Sequence, residues 1–367
     1  MVEPCPAADA RLERLNHVAY GWCSPIICAV GVAANLANLL VLRRPPLRSL
    51  TVYTYLLWLS VADLCGLFFY SVFAYLLSQE SAHPCTGAPL ALAFYAAHLN
   101  KPLTNTCLAS GVWVTLWLSA NRRVAVTRPT SYLTEETGDV AFIRIAGTLA
   151  GTMTLFLPMV FQFEVVLDEE IGGYVLRQES FTYTTAWMVY QWLLQVVARL
   201  LPAAGILVNN VLVVRGLAAR AGSRSAFPKL SAWRRCCCKS MTEVAPPSVI
   251  ELVESSAQGT AASVGSSPRQ RRRASGHRLR ATFMLPAISA LTIITNMYSA
   301  TLFVWAAQGK LKLANGYTKY QVSRAVGNNL ELFTLAANPF LNILFSCEVR
   351  NGYRRLMRDY KHCCRSE

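Results

Sequence analysis

Seven stretches of the chain stay apolar long enough to cross a membrane: about 19–42, 51–78, 99–121, 142–166, 186–214, 281–306 and 321–346. A bilayer core about 30 Å thick needs roughly 20 mostly apolar residues per helical span, and each stretch meets that length. Lipid offers no partner to backbone N–H and C=O groups, so each stretch must be a helix. The intervening segments are short apart from one loop and leave no room for a large soluble domain. Only 15% of the residues are charged, where a soluble chain carries about 25%. The expected fold is therefore all-α: a seven-transmembrane helix bundle over 19–346, an N-terminal segment 1–18, and a short amphipathic surface helix with a tail over 347–367.

The net charge of +15 would suit nucleic acid if it were clustered on one surface, but its placement excludes that partner. Of 35 Lys and Arg, 26 fall in the segments 43–50, 122–145, 215–280 and 348–367, and six in the segments on the opposite side. Basic residues stay in the cytoplasm during insertion. The asymmetry thus predicts an extracellular N-terminus, a cytoplasmic C-terminus and a multi-pass protein of the plasma membrane. Residues 1–18 have no apolar core of the kind a cleaved signal needs, so the first helix is expected to serve as the insertion signal.

The long loop, about 216–279, is rich in Gly, Ala, Ser and Pro and is expected to be disordered and cytoplasmic. Within it, Arg271-Arg272-Arg273-Ala274-Ser275 makes Ser275 a phosphorylation candidate, or else a basic strip lying on anionic lipid heads. Cys363 and Cys364 follow the basic amphipathic segment 348–360 and are lipidation candidates that would hold it at the membrane lipid. Cys23, Cys28, Cys65, Cys107 and Cys347 fall in or against helices as small apolar fillers. Outside, Cys5 and Cys85 could form a disulfide.

No enzyme constellation is present: no Gly-rich phosphate loop, and no His and Cys spacing for a metal. The informative residues are polar groups at membrane depth, which are costly there and so mark function. Asp63 lies midway along the second span and needs a partner, a cation or a proton. Asn35 in the first span and Asn338 and Asn342 in the seventh could close a buried polar cluster around it. No cofactor is called for, although a sodium ion beside Asp63 is one candidate cation.

These landmarks, in this order, resemble those of the rhodopsin-like G protein-coupled receptors. The resemblance runs from Asn35 to Asp63, through Asn121-Arg122-Arg123 with Pro129 at the end of the third span, to Pro202 with Asn210 in the fifth. Asn338-Pro339-Phe340-Leu341-Asn342 in the seventh and Gly352-Tyr353-Arg354-Arg355 after it complete the pattern. Within the family the chain is most similar to invertebrate FMRFamide-type neuropeptide receptors. This rests on Gly111-Val112-Trp113-Val114-Thr115-Leu116-Trp117 and on Asn296, which stands where many relatives carry tryptophan. The seventh-span motif can be read in two registers four residues apart; the one preferred on sequence takes Asn342 as the motif asparagine and Ser346 in place of the usual tyrosine.

The resemblance implies an extracellular ligand and a heterotrimeric G protein as partners, with Asn121, Arg122 and Arg123 at the coupling end. It also exposes departures. Asn121 replaces the acid that normally pairs with the arginine, which predicts raised basal signalling. Tyr298 replaces the sixth-span proline, and Pro286 would move the hinge toward the cytoplasm. The third span lacks an outer cysteine and 165–185 contains none, so the family's usual outer disulfide is absent. Thr104 argues against an amine ligand, and Ala336 with Ala337 against retinal. The candidate ligand contacts are Lys101, Thr104, Tyr190, Arg199, Tyr298 and Glu331. Arg199 and Glu331 either pair with each other or hold opposite charges of a peptide. Segment 164–180 carries a net −4, which would draw in a basic, amidated neuropeptide. The competing readings are a non-signalling or constitutively active receptor and, from a different class, a multi-pass transporter.

Overall fold

A computed structural model of the protein describes residues 10–44, 47, 51–82, 87–128, 132, 136–169, 172–221, 288–305 and 314–363. Helix α1 runs over 10–42, α2 over Thr51–Ala82 and α3 over 90–127. Helix α4 is Gly138–Phe156 with a 3-10 turn at Leu157–Phe161, α5 spans 185–221, and α6 is Ile288–Trp305. Helix α7 covers Ala314–Phe345 and α8 Cys347–Cys363. Residues 163–166, expected to finish the fourth span, instead open strand β1, Phe163–Asp168, which pairs antiparallel with β2, Gly173–Gln178. Pro158 ends the regular helix, and the Phe-Glu-Val-Val-Leu-Asp run that follows suits a pleated strand better than another helical turn. This hairpin marks one end of the bundle and α8 the other.

Three helices widen into π-helical turns near the hairpin end: His17–Cys23 in α1, Tyr95–Asn100 in α3 and Gln195–Leu200 in α5. Each is followed by a proline, Pro25, Pro102 or Pro202, at the second position of the next α-helical segment. A proline has no N–H to donate, and its ring clashes with the carbonyl four residues back, which in all three cases lies inside the widened turn. Opening the turn relieves the clash without breaking the helix. The widened turns of α3 and α5 sit where the bundle opens into a cavity.

Polarity is inverted relative to a water-soluble protein. Trp22, Ile26, Leu40, Phe68, Ile143 and Leu207 are exposed on the outside, while Asn35, Asn38, Asp63, Asn121, Asn296 and Asn338 are buried within. Helices α1, α2, α4, α5 and α6 each contain a stretch long and apolar enough to cross a bilayer. Helix α7 qualifies only together with α8, across a 93° bend. Helix α3 is the central helix, and Thr104, Thr106, Ser110, Thr115, Ser119 and Asn121 all lie on its buried face, which lowers its apolar content. The largest apolar cluster lies at the α8 end, where Tyr55, Leu56, Leu118, Ile288 and Val349 meet. With every member at 6% exposure or less, it packs like the core of a soluble domain.

The hairpin is tied to the segment before α3 without a covalent link. Ala88 N–H donates to the Tyr174 carbonyl and Tyr174 N–H to the Ala88 carbonyl, both at 3.0 Å. The backbones approach so closely that a Cβ on Gly87 would lie 2.4 Å from Gly173, so both positions require glycine. Ser275, Cys5, Cys85, Cys364 and Pro286 lie outside the described residues. Cys363 ends α8, and its side chain likewise lies outside them.

Candidate functional site

The hairpin end opens into a cavity of about 390 Å³ between α2, α3, α5, α6 and α7. Of the six candidate ligand contacts, Lys101, Thr104, Arg199 and Glu331 line it. The other two do not, because their hydroxyls are committed to neighbouring helices. Tyr190 donates to the Leu155 carbonyl at 2.9 Å, pinning α5 to α4. Tyr298 donates to the Ser323 carbonyl at 3.1 Å, pinning α6 to α7.

The floor of the cavity is an ion pair. Arg199 Nη1 lies 2.5 Å from Glu331 Oε1, and Ser299 Oγ donates to the same oxygen at 2.5 Å, so one carboxylate holds α5, α6 and α7 together. Of the two readings of these charges, the structure has Arg199 and Glu331 paired with each other. Lys101 reaches the other way, donating to Gln162 Oε1 at 3.3 Å and sitting 4.2 Å above the Phe163 ring, so the root of the hairpin is fixed by an α3 cation. Thr104 donates to Asn100 Oδ1 at 3.3 Å.

Below the ion pair lies a smaller cavity of about 80 Å³, which shares Asn105, Leu108, Met159, Arg199 and Glu331 with the outer one. Asp63 lines it and is 1% exposed. Asn338 Nδ2 donates to Asp63 Oδ2 at 2.8 Å, whereas Asp63 Oδ1 and Asn338 Oδ1 have no hydrogen-bond partner among the described residues. Asn35 donates to the Leu335 carbonyl at 3.1 Å, tying α1 to α7, and Asn296 bonds the Thr292 carbonyl of its own helix at 2.7 Å. It is Asn338, followed by Pro339 inside α7, that reaches Asp63, while Asn342 is buried one turn nearer α8.

At the α8 end, Asn121 is fully buried, and its Nδ2 donates to Glu136 Oε2 at 2.9 Å. Tyr132 donates to Asn121 Oδ1 at 3.5 Å, and burial pushes the Tyr132 phenol up from its ordinary pKa. Arg144 holds both Glu136 oxygens at 2.8 and 2.9 Å and lies 5.3 Å from the Trp117 ring. Asn121 thus binds an acid from the segment joining α3 to α4, and that acid is itself paired with Arg144 rather than with Arg122. Arg122 lies close enough to Tyr53, Tyr132 and Glu348 to interact with them electrostatically, and Tyr53 donates to Glu348. The premise of raised basal signalling, an arginine without anionic company, does not hold in this geometry. Arg123 is partly exposed on the same turn.

Three separate polar clusters thus lie along the bundle: Arg199–Glu331–Ser299 under the outer cavity, Asp63–Asn338 at mid-depth, and the groups around Asn121 and Arg122 at the α8 end. The sequence matches the 7 transmembrane receptor (rhodopsin family) over residues 35–341. The chain belongs to the rhodopsin family of seven-transmembrane receptors. Two Caenorhabditis elegans proteins, each described as a probable G-protein coupled receptor, are similar to it. One is 27% identical over 214 residues, covering 54% of this chain. The other is 22% identical over 359 residues, covering 94% of this chain and 77% of the relative. The chain spans about half, 47%, of the length of the first. The family is one of signalling receptors, not enzymes, and the transporter reading falls with that finding.

Glu136, Arg144, Tyr53, Glu348 and Arg324 went unnoticed in the sequence. Four belong to charge clusters built from distant segments, and no local spacing signals them. Arg324 lies about three turns inside α7, which starts at Ala314.

Proposed function

We propose that this receptor sits in the plasma membrane with its hairpin end outside, binds an extracellular peptide in the 390 Å³ cavity, and activates a heterotrimeric G protein through the α8 end. The observation that carries the reading is the Arg199–Glu331–Ser299 cluster. It forms the floor of an opening large enough for several peptide side chains and bridges the three helices whose relative positions a ligand would change. A ligand that binds better to an arrangement with this cluster altered would shift the population toward it. An FMRFamide-like, amidated neuropeptide is the favoured class, in keeping with the sequence resemblance in α3 and at Asn296. A sodium ion would fit beside Asp63, where Asp63 Oδ1 and Asn338 Oδ1 both lack partners; bound there, it would supply a positive charge to a buried carboxylate.

The test is expression with a promiscuous G protein, challenged with a panel of amidated peptides and read as intracellular calcium. We expect a saturable response that Arg122→Ala abolishes with surface delivery unchanged. Silence of a well-delivered receptor across the panel would overturn the signalling reading in favour of a non-signalling one.

A further inference from the structure

The outer cavity is lined by three basic side chains, Lys101, Arg199 and Arg324, against one acid, Glu331. Arg199 is committed to Glu331. That leaves Lys101, from α3, and Arg324, from α7, facing the same space and close enough to repel each other. Among the described residues the ion pairs are Arg44–Asp359, Arg144–Glu136 and Arg199–Glu331, so no carboxylate answers either cation. Among the described residues, the polar and ring partners of the Lys101 ammonium are the neutral Gln162 amide and the Phe163 ring. Tyr70 of α2 lines the cavity too; it is 5% exposed, and its hydroxyl has no partner among the described residues. Two like charges and an orphaned hydroxyl in one poorly solvated recess work against folding. The same arrangement complements an anion, with an ammonium, a guanidinium fork and a phenolic O–H as donors.

We propose that this subsite takes a carboxylate of the ligand, held by Lys101 and Arg324 with Tyr70 donating alongside. The hairpin segment above carries a net −4 over 164–180, which disfavours a highly charged anion and favours one carboxylate on a ligand that is otherwise neutral or basic. A peptide offers that group as an Asp or Glu side chain or as a free C-terminus. The assignment deepens the peptide-receptor reading and rests on it for the ligand's class, although the binding itself requires no signalling.

The test therefore uses purified full-length receptor and small probes. N-acetyl-aspartate α-amide presents a side-chain carboxylate, N-acetyl-alanine a C-terminal one, and N-acetyl-asparagine amide is the neutral control. We expect thermal stabilisation of about 2–4 °C by at least one carboxylate probe near saturation and none by the neutral control. The stronger of the two names the source of the carboxylate. Lys101→Gln and Arg324→Gln should each weaken that probe about 10–100-fold, the usual worth of a charge-assisted hydrogen bond. Equal shifts from charged and neutral probes, or no shift from either carboxylate, would overturn the assignment on wild-type protein alone, whatever the variants do. A calcium response to peptides lacking any carboxylate, with probe binding intact, would instead count against the carboxylate as the agonist's anchor. The two failures are thus distinguishable, because the peptide screen tests signalling and the probe comparison tests the subsite.

Discussion

Removing one partner of the Arg199–Glu331 pair should be among the most damaging conservative changes in the bundle. Glu331→Gln keeps the shape of the side chain and its contact with Ser299 but leaves Arg199 without a counter-charge. Breaking a fully buried pair from one side costs about 3–5 kcal/mol. Here the side chains retain 20% and 16% exposure and border a cavity, so water recovers part of that. The expected loss is about 2–3 kcal/mol for Glu331→Gln, similar for Arg199→Gln, and less than their sum for the double variant, which buries no unpaired charge. Equilibrium unfolding of the purified receptor in detergent, run as a double-mutant cycle, gives the coupling directly. A coupling of about 1–2 kcal/mol is expected. A value below about 0.5 kcal/mol, the scatter of independent sites, would refute the claim that this carboxylate ties three helices together, and would return both charges to the role of ligand contacts.

Three further outcomes follow from single contacts. Asn121→Asp, which sequence alone would read as restoring a resting lock, places a second carboxylate against Glu136 and should destabilise the receptor by about 1–3 kcal/mol; adding Glu136→Gln should recover most of the loss in the same unfolding assay. Gly173→Ala puts a methyl group into the Gly87 backbone, so the hairpin should lose its Ala88–Tyr174 bridge and its amide protons should exchange faster, with the helices unaffected. Tyr190→Phe should cost about 1 kcal/mol of stability while leaving the half-maximal concentration of any agonist unchanged, since the hydroxyl is engaged by Leu155 and not by the cavity.

What the sequence revealed, and what it concealed, divides by the range of the interaction. Helices α1, α2, α4, α5 and α6 follow from local hydropathy alone, and Asp63 marked itself because a carboxylate at membrane depth has few explanations. Even the Arg199–Glu331 pair could be anticipated as one of two readings, since both charges lie deep within spans. Strand β1 could not be separated from the fourth span, because Phe163-Glu164-Val165-Val166 continues an apolar run and only Pro158 hints at its end. Asn121 looked like a missing lock because the acid that serves it, Glu136, belongs to a segment whose position depends on α3 and α4 packing together. Tyr190 and Tyr298 looked like ligand contacts from their depth, but depth does not determine which way a hydroxyl points.

The attachment of the hairpin has a consequence for how firmly it is held. A covalent cross-link would fix the hairpin for the lifetime of the molecule, and only reduction would free it. The two backbone hydrogen bonds of this latch are worth about 2 kcal/mol between them, small enough for thermal motion to break. The hairpin residues 163–178 contain no cysteine. The attachment is therefore a thermal equilibrium that temperature and side-chain size can tune, and no thiol in the hairpin makes it answer to redox state.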